Sequence, residues 1–304
     1  MNKYKLATIV NFCTNESRFI KICLDQSLLF SRQVIVPVCD HFFDGTEENR
    51  ALLEKIYRAF PECLFVEYPF ILEKIPKRIF KTVQPAHFWH SLSRLIGAQF
   101  LDDAVENVLF LDADEIPDAK RFVEWLGCSD YPGHTVLKLA NYWYFRESCY
   151  QAEKWEDSIV FAQRRAIEPH LLLRQEERDA IYDSLPGPKR RMVVGPDGQP
   201  MFHHYSWVRT EIEMLKKVRS WGHGKDREWE SLVKNEFSGP FKGVDFVHQY
   251  SCKTVNPAFT LPSGEPVFDV KGPPNVVRMD GKGVLAAIKK GGGSFWNLIF
   301  SRFP

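Results

Sequence analysis

Val108-Leu-Phe-Leu-Asp-Ala-Asp-Glu-Ile-Pro117 decides how this chain reads. Four unbroken apolar residues describe a short strand buried on both faces, as in a parallel sheet covered by helices. The strand runs straight into Asp112 and Asp114, spaced so that both carboxylates reach one cation if the chain turns there. Oxygen ligands suit Mn2+ or Mg2+, and such a cation neutralises a diphosphate. In open α/β sheets ligands bind beyond the carboxyl ends of the strands, where this acidic turn falls.

Outward from that turn the pattern alternates between strand and helix. Leu6–Phe12 is a compact apolar strand, and Asn15 is placed to cap a helix whose face carries Phe19, Ile20, Cys23, Ser27 and Leu28. Val34–Val38 is a second strand, with Pro37 expected near a strand end or on an unpaired side. Thr46–Phe60 reads as an amphipathic helix, Cys63–Glu67 as a third strand and Pro85–Asp103 as a third helix. The order predicts an α/β fold with a mainly parallel sheet and helices on both faces. The polar clusters at residues 14–16, 40–44 and 112–115 should then converge on one cleft.

Beyond residue 140 the period loosens. Asn141–Phe145 is aromatic-rich, and Glu176–Gln199 turns Pro/Gly-rich, as expected of a surface excursion able to close over a ligand. Thr210–Arg219 reads as a basic helix, and the stretch from Asn256 shows little helical period until Val284–Lys290. The expected organisation is one domain over residues 1–255, split into halves at about residue 120, with residues 256–304 packed on it as an irregular extension.

Composition narrows the partners. Forty Lys and Arg balance thirty-nine Asp and Glu, so no basic field recruits nucleic acid. No apolar run is long enough for a membrane span or a signal-peptide core. Seven dispersed cysteines without a CxxC pair read as reduced, mostly buried thiols, which points to a cytoplasmic chain. Lys mixed with aromatics from Val284 to Phe300 suits a peripheral membrane contact, or a tail packed back on its own domain.

The acidic segment resembles the metal-binding segment of GT-A fold glycosyltransferases, especially the large inverting family 2. Ile9-Val-Asn-Phe-Cys-Thr-Asn-Glu16 is similar to that family's first strand and its Asn-Glu turn. Val34–Thr46 resembles its second strand, with the Asp that reads the nucleobase and the following Asp-Gly-Thr turn. Ser93-Arg-Leu-Ile-Gly97 resembles its Arg-x-x-Gly helix. These segments cover roughly residues 5 to 120 in order. A shorter segment, Phe202–Arg209 through Trp221-Gly-His223, resembles the His-x-Ser-Trp region of the branch that adds bisecting N-acetylglucosamine. The sequence departs from the family at Cys39, where the first of two adjacent Asp residues usually stands, and at Thr14, often an aromatic.

The resemblance implies a nucleotide diphosphate-sugar as donor and a glycan or lipid-linked acceptor, as in surface polysaccharide synthesis. Asp40 would bind the base or ribose, or else cap the helix near Thr46. Phe12, Thr14, Glu16 and Arg94 would line the donor site. Asp112 would contact ribose or metal and Asp114 the metal. His203, His204 and His223 are candidates to complete the metal shell, with His204 favoured. Lys216, Lys217 and Arg219 would neutralise the leaving diphosphate or form a solvated face, Lys217 being the choice for the site. Asp157, beside the sugar-stacking candidate Trp155, is the candidate base that deprotonates the acceptor hydroxyl, or a surface charge.

Two other classes compete. A nucleotidyltransferase would carry a Gly-rich phosphate loop after the first strand, and Cys13–Glu16 has no glycine. A non-catalytic carbohydrate-binding protein of the same fold would have no need of both carboxylates. An NAD-dependent oxidoreductase is disfavoured because no G-x-G-x-x-G follows the first strand.

Overall fold

The structure, a computed structural model, describes residues 4–42, 44–75, 77, 80, 84–173, 177–220, 227–264 and 266–291. Strands β1 (Tyr4–Asn11), β2 (Ser31–Cys39), β3 (Leu64–Tyr68) and β4 (Asn107–Asp112) lie in the order β3-β2-β1-β4, all parallel. Helices α1 (Ser17–Ser27), α2 (Arg50–Ala59) and α3 (Pro85–Ala98) connect them. Side-chain alternation explains why these strands are apolar throughout. Leu109 and Leu111 of β4 enter the core beneath α1 and α2, while Val108 and Phe110 enter the core beneath α3.

The second half makes the sheet mixed. It comprises β5 (Glu115–Pro117), α4 (Ala119–Cys128), β6 (Val136–Phe145), β7 (Tyr150–Ala152), β8 (Glu156–Gln163), α5 (Glu177–Ser184), β9 (Lys189–Val193) and β10 (Phe202–Trp207). Then come α6 (Glu211–Ser220), α7 (Trp229–Phe237), β11 (Cys252–Thr254), β12 (Val276–Arg278) and α8 (Gly281–Gly291). β8 inserts antiparallel between β4 and β6. β10 runs parallel to β6 and antiparallel to β5, setting His204 opposite Glu115. That pairing brings a strand ninety positions downstream back onto the acidic turn, where the Tyr205 N–H donates to the Asp114 carbonyl at 2.8 Å. The stretch after residue 255 supplies β12, parallel to β3 at the sheet edge, and α8, whose Val284 and Ile288 join the core under α3.

Several expectations change in detail. α1 starts at Ser17 after a 3-10 turn, with Glu16 and not Asn15 at its N-cap and no side-chain cap bond. α2 starts at Arg50, because Asn49 accepts the Leu52 N–H at 3.1 Å while Thr46 is tied to Asp44 in the preceding turn. α3 ends at Ala98, five residues early. Pro37 is tolerated because the β1 partners of β2 end at Ile35. The Pro/Gly-rich segment is no free lid: it holds β9 against β6, and Arg121 ties it down through Asp197 at 3.1 Å. All seven cysteines are free thiols, but only Cys23, Cys39 and Cys63 are buried.

One close approach sets the geometry of the site. A Cβ on Gly97 would lie 2.8 Å from Ile9 Cγ2, so glycine lets α3 sit directly on β1. Arg94, one turn earlier on the same helix, thereby reaches Asp112 at the end of β4. Gly97→Ala is expected to cost about 1–3 kcal/mol by overpacking, seen as a lower urea midpoint with an unchanged m-value. An unchanged midpoint would show that α3 need not approach so closely.

Candidate functional site

The cleft opens where β1 and β4 diverge, the point at which Asn11 and Asp112 stand in register. It encloses about 380 Å3 and is lined by residues of β1 and its exit (Asn11, Phe12, Cys13, Asn15, Glu16), by Cys39, His41, Glu48 and Tyr68, and by His87, His90 and Ser93 of α3. Asp112, Ala113 and Asp114 form its floor, with Arg178, His204, Ser206 and Lys217 reaching in from the second half.

Asp112 and Asp114 have separate surroundings. Arg94 donates to Asp112 Oδ1 at 2.9 Å, His90 Nε2 stands 3.2 Å from the same oxygen, and Arg178 donates to Oδ2 at 3.2 Å. Burial acts to raise the Asp112 pKa, but Arg178, His90 and Arg94 overcome it and hold the carboxyl well below its usual range. Arg178 also clamps Glu115, which is fully buried, accepts from Ser158 Oγ at 2.6 Å, and receives the Asp112 N–H at 2.8 Å. The acidic turn is thus braced from within.

Asp114 is 4% exposed, and its cationic neighbours all stand beyond hydrogen-bond length: His204 Nε2 at 3.8 Å, Arg209 at 3.7 Å and Lys217 at 3.8 Å. Burial and the nearby Glu16 charge push its pKa up to about 6, against Lys217 and His204. Arg209, itself buried, donates to Glu16, to the Asn15 carbonyl at 3.0 Å and to the Ser206 carbonyl at 2.8 Å. Burial acts to lower the His204 pKa, but Glu156, Asp114 and Glu115 outweigh it and hold it at about 9. The charged imidazole therefore adds to stability in full below about 6.5, and that contribution is lost as pH rises through about 9.

The sequence candidates divide as follows. Phe12, Glu16, Asp112, Asp114, His204 and Lys217 line the cleft, and Arg94 supports it from beneath. Lys217 faces inward because Met214 and Val218 on its side of α6 are buried; Lys216 lies over Phe42 and Arg219 pairs with Glu230 on the outside. Thr14 is buried, giving its N–H at 3.1 Å and its hydroxyl to Glu48. Asp40 turns away from the cleft: Oδ1 accepts the Phe70 N–H at 2.7 Å and lies 2.7 Å from His41 Nδ1. The carboxylate lining that side is Glu48.

Asp157 is also elsewhere. It lies where the β8–β6 pairing shifts register, and there Arg191 grips it at 2.9 Å through both nitrogens and Lys138 lies 3.3 Å away. Its neighbour Glu156 faces inward, 3.6 Å from His204 Nδ1. Trp155 packs edge-on against Tyr142. His203 is a core residue, 2.8 Å from the Tyr144 hydroxyl, with its pKa lowered to about 4 by burial. His223 lies outside the described residues. Arg178, Arg209, His90, Glu48 and Glu156 were not legible as site residues: Arg209 closes the His-x-Ser-Trp segment and Glu156 adjoins Asp157, but only the tertiary fold brings the five together.

Asp114 and His204 offer a carboxylate oxygen and an imidazole nitrogen 3.8 Å apart, a span that two ligands of one Mn2+ or Mg2+ can share. The nitrogen turned to Asp114 is His204 Nε2, while Nδ1 faces Glu156 at 3.6 Å. The donor chemistry at this pair fits a divalent cation. Asp112 does not join them, since its oxygens are committed to Arg94, His90 and Arg178, and among the described residues no three His, Cys, Asp or Glu side chains converge as a metal cluster.

No protein-family model matches the chain, and no curated protein does. Solved structures resemble it at low identity. The catalytic domain of Drosophila beta1,4-galactosyltransferase 7, in complex with xylobiose, is 9% identical with a TM-score of 0.35, covering 75% of this chain and 79% of that one. Glucosyl-3-phosphoglycerate synthase from Mycobacterium tuberculosis, solved with Mn2+, UDP and phosphoglyceric acid, is 14% identical with a TM-score of 0.35, covering 84% and 88%. The inositol-1-phosphate CTP transferase from T. maritima is 9% identical with a TM-score of 0.35, covering 69% and 94%. Overlap this loose leaves the functional reading to the site's own residues.

Two outcomes are expected. Arg209→Met should cost about 3 kcal/mol or more in chemical denaturation, because it strands Glu16 and Asp114 without their buried partner, and Arg209→Lys should recover only part. A neutral Arg209→Met would contradict the buried charge balance. In metal-free protein the ring protons of His204 should titrate near pH 9 by NMR and those of His203 near pH 4; matching midpoints near 6.5 would contradict both environments.

Proposed function

We propose that the chain is a glycosyltransferase that moves a sugar from a nucleotide diphosphate-sugar to an acceptor hydroxyl. The observation that carries this reading is the placement of Asp114, His204 and Lys217 around one gap at the carboxyl edge of the parallel strands. Phe12, Cys39 and Tyr68 give the cleft apolar surface suited to a base, and Glu48 is the polar group beside them able to receive a base or ribose donor. Lys217, 3.7 Å from Glu16 and 3.8 Å from Asp114, brings positive charge to the leaving diphosphate.

A Mn2+ or Mg2+ ion held by Asp114 and His204 would neutralise the diphosphate as it leaves. Asp112, kept ionised by Arg94 and Arg178, holds the turn in place and suits a ribose hydroxyl. In an inverting transfer the acceptor oxygen bonds to the anomeric carbon as the carbon–phosphate-oxygen bond breaks, and the hydroxyl proton passes to a carboxylate. We assign that role to Glu156, 3.6 Å from His204 Nδ1, because Arg191 occupies both oxygens of Asp157. The likeness to the bisecting branch, over Phe202–Arg209 through Trp221-Gly-His223, names no sugar.

A thermal-shift panel of UDP-, GDP-, CMP- and dTDP-sugars, with and without Mn2+, tests the reading. One nucleotide class should stabilise the protein, more with Mn2+, and the metal-dependent part should vanish in Asp114→Asn. Because His204 must lose its proton to ligate, the Mn2+ effect should grow as pH rises from 7 toward its pKa of about 9. Stabilisation by no donor, or equal stabilisation of Asp114→Asn, would count against the proposal.

A further inference from the structure

The turn Asp245–Tyr250 is built at a cost that no donor role explains. Asp245 is fully buried, and its carboxylate collects three backbone N–H groups: Val247 at 2.7 Å and His248 at 2.6 Å on one oxygen, Tyr250 at 2.7 Å on the other. Gln249 is held at φ 60°, a left-handed conformation that a non-glycine residue adopts only when its surroundings dictate it. The turn is closed behind by an antiparallel bridge between Val244 and Ser251.

What this framework displays is a pair of rings. His248 and Tyr250 stack with centroids 5.1 Å apart, and Trp143 supports both edge-on at 5.3 and 5.9 Å. The His248 side chain is 41% exposed, and its Nε2 lies 3.6 Å from Glu156 Oε1. The other oxygen of Glu156 lies 3.6 Å from His204 Nδ1, the buried nitrogen that has no hydrogen-bond partner. Both distances lie just beyond a direct hydrogen bond, so either pair can share a hydroxyl seated beside it.

We propose that the corner formed by His248, Tyr250, Glu156 and His204 is the acceptor subsite, and that it takes a neutral saccharide unit. A hydroxyl can accept from an imidazole N–H and donate to Glu156 at once, which closes either gap. A phosphate dianion or carboxylate has no proton to give Glu156 and would meet it as a like charge, so a hydroxyl suits the Glu156–His204 ion pair better. The half-exposed His248 ring offers a face for the C–H side of a pyranose, backed by Tyr250, over which Lys154 Nζ lies at 5.0 Å, and the Asp245 clasp fixes it before the ligand arrives. This inference rests on the transferase reading for the word acceptor, although the corner binds a glycoside by itself.

The test is saturation-transfer NMR on the full chain with methyl glycosides of glucose, galactose, mannose and N-acetylglucosamine, and with glucose 6-phosphate. At least one methyl glycoside should bind and glucose 6-phosphate should not. Tyr250→Ala and His248→Ala should each weaken binding about five- to tenfold, the size expected for losing one stacked ring. Asp245→Asn should weaken it as well while near-UV circular dichroism of the folded protein stays intact. Where turnover is measurable, the three changes should raise the acceptor KM more than they lower kcat. No binding to the wild type, tighter binding of the phosphate, or binding that survives both ring substitutions would overturn the proposal. The donor panel reports separately: glycoside binding through this corner without any nucleotide shift would leave the subsite standing and remove the transferase reading.

Discussion

Two carboxylates on one tight turn cannot share a buried space as bare anions, and most of the second half of the chain is arranged around that constraint. Burying a charge without partners costs several kcal/mol. The fold answers by giving each carboxylate its own set of cations from different elements. Arg94 from α3 and Arg178 from α5 hold Asp112 low, while Arg209 after β10, Lys217 from α6 and His204 from β10 surround Asp114 at a distance. The asymmetry matters chemically. A carboxylate in direct contact with two guanidinium groups is a structural brace, and one ringed by cations that stop short of it has room for a ligand.

The sheet delivers those groups. Parallel strands β1 and β4 end together, Gly97 seats α3 on β1, and the antiparallel β5–β10 pair returns a histidine-bearing strand to the acidic turn. A Thr210–Glu213 pair then starts α6, with the Thr210 N–H given to Glu213 at 2.7 Å, and aims Lys217 into the cleft. Local sequence, packing and site chemistry meet in these few contacts.

The first half of the chain was legible because its signals are local. Continuous apolar runs marked β1, β2 and β4, and the acidic turn followed β4 within one residue of the expected boundary. What escaped reading was pairing and return. Asp157 and Glu156 are adjacent in sequence, yet Asp157 is bound by Arg191 and Lys138 while Glu156 approaches His204, and the irregular β6–β8 pairing that separates them leaves no mark in the sequence. Arg178 and Arg209 lie 66 and 95 positions beyond the carboxylates they serve, so no spacing pattern announces them. Asp40 kept the position expected of a base-reading residue but spent its oxygen on the Phe70 N–H, and Glu48 took the place beside Thr14.

The central claim is that Asp114 works on a nucleotide diphosphate-sugar, not merely inside a balanced ion network. Release of nucleoside diphosphate from the nucleotide-sugar that stabilises the protein, followed with Mn2+ in wild type and in folded Asp114→Asn, tests it most directly. The account predicts measurable turnover in the wild type and a loss on the order of a hundredfold in the variant. Equal rates in the two, or no release from any donor by either, would contradict it.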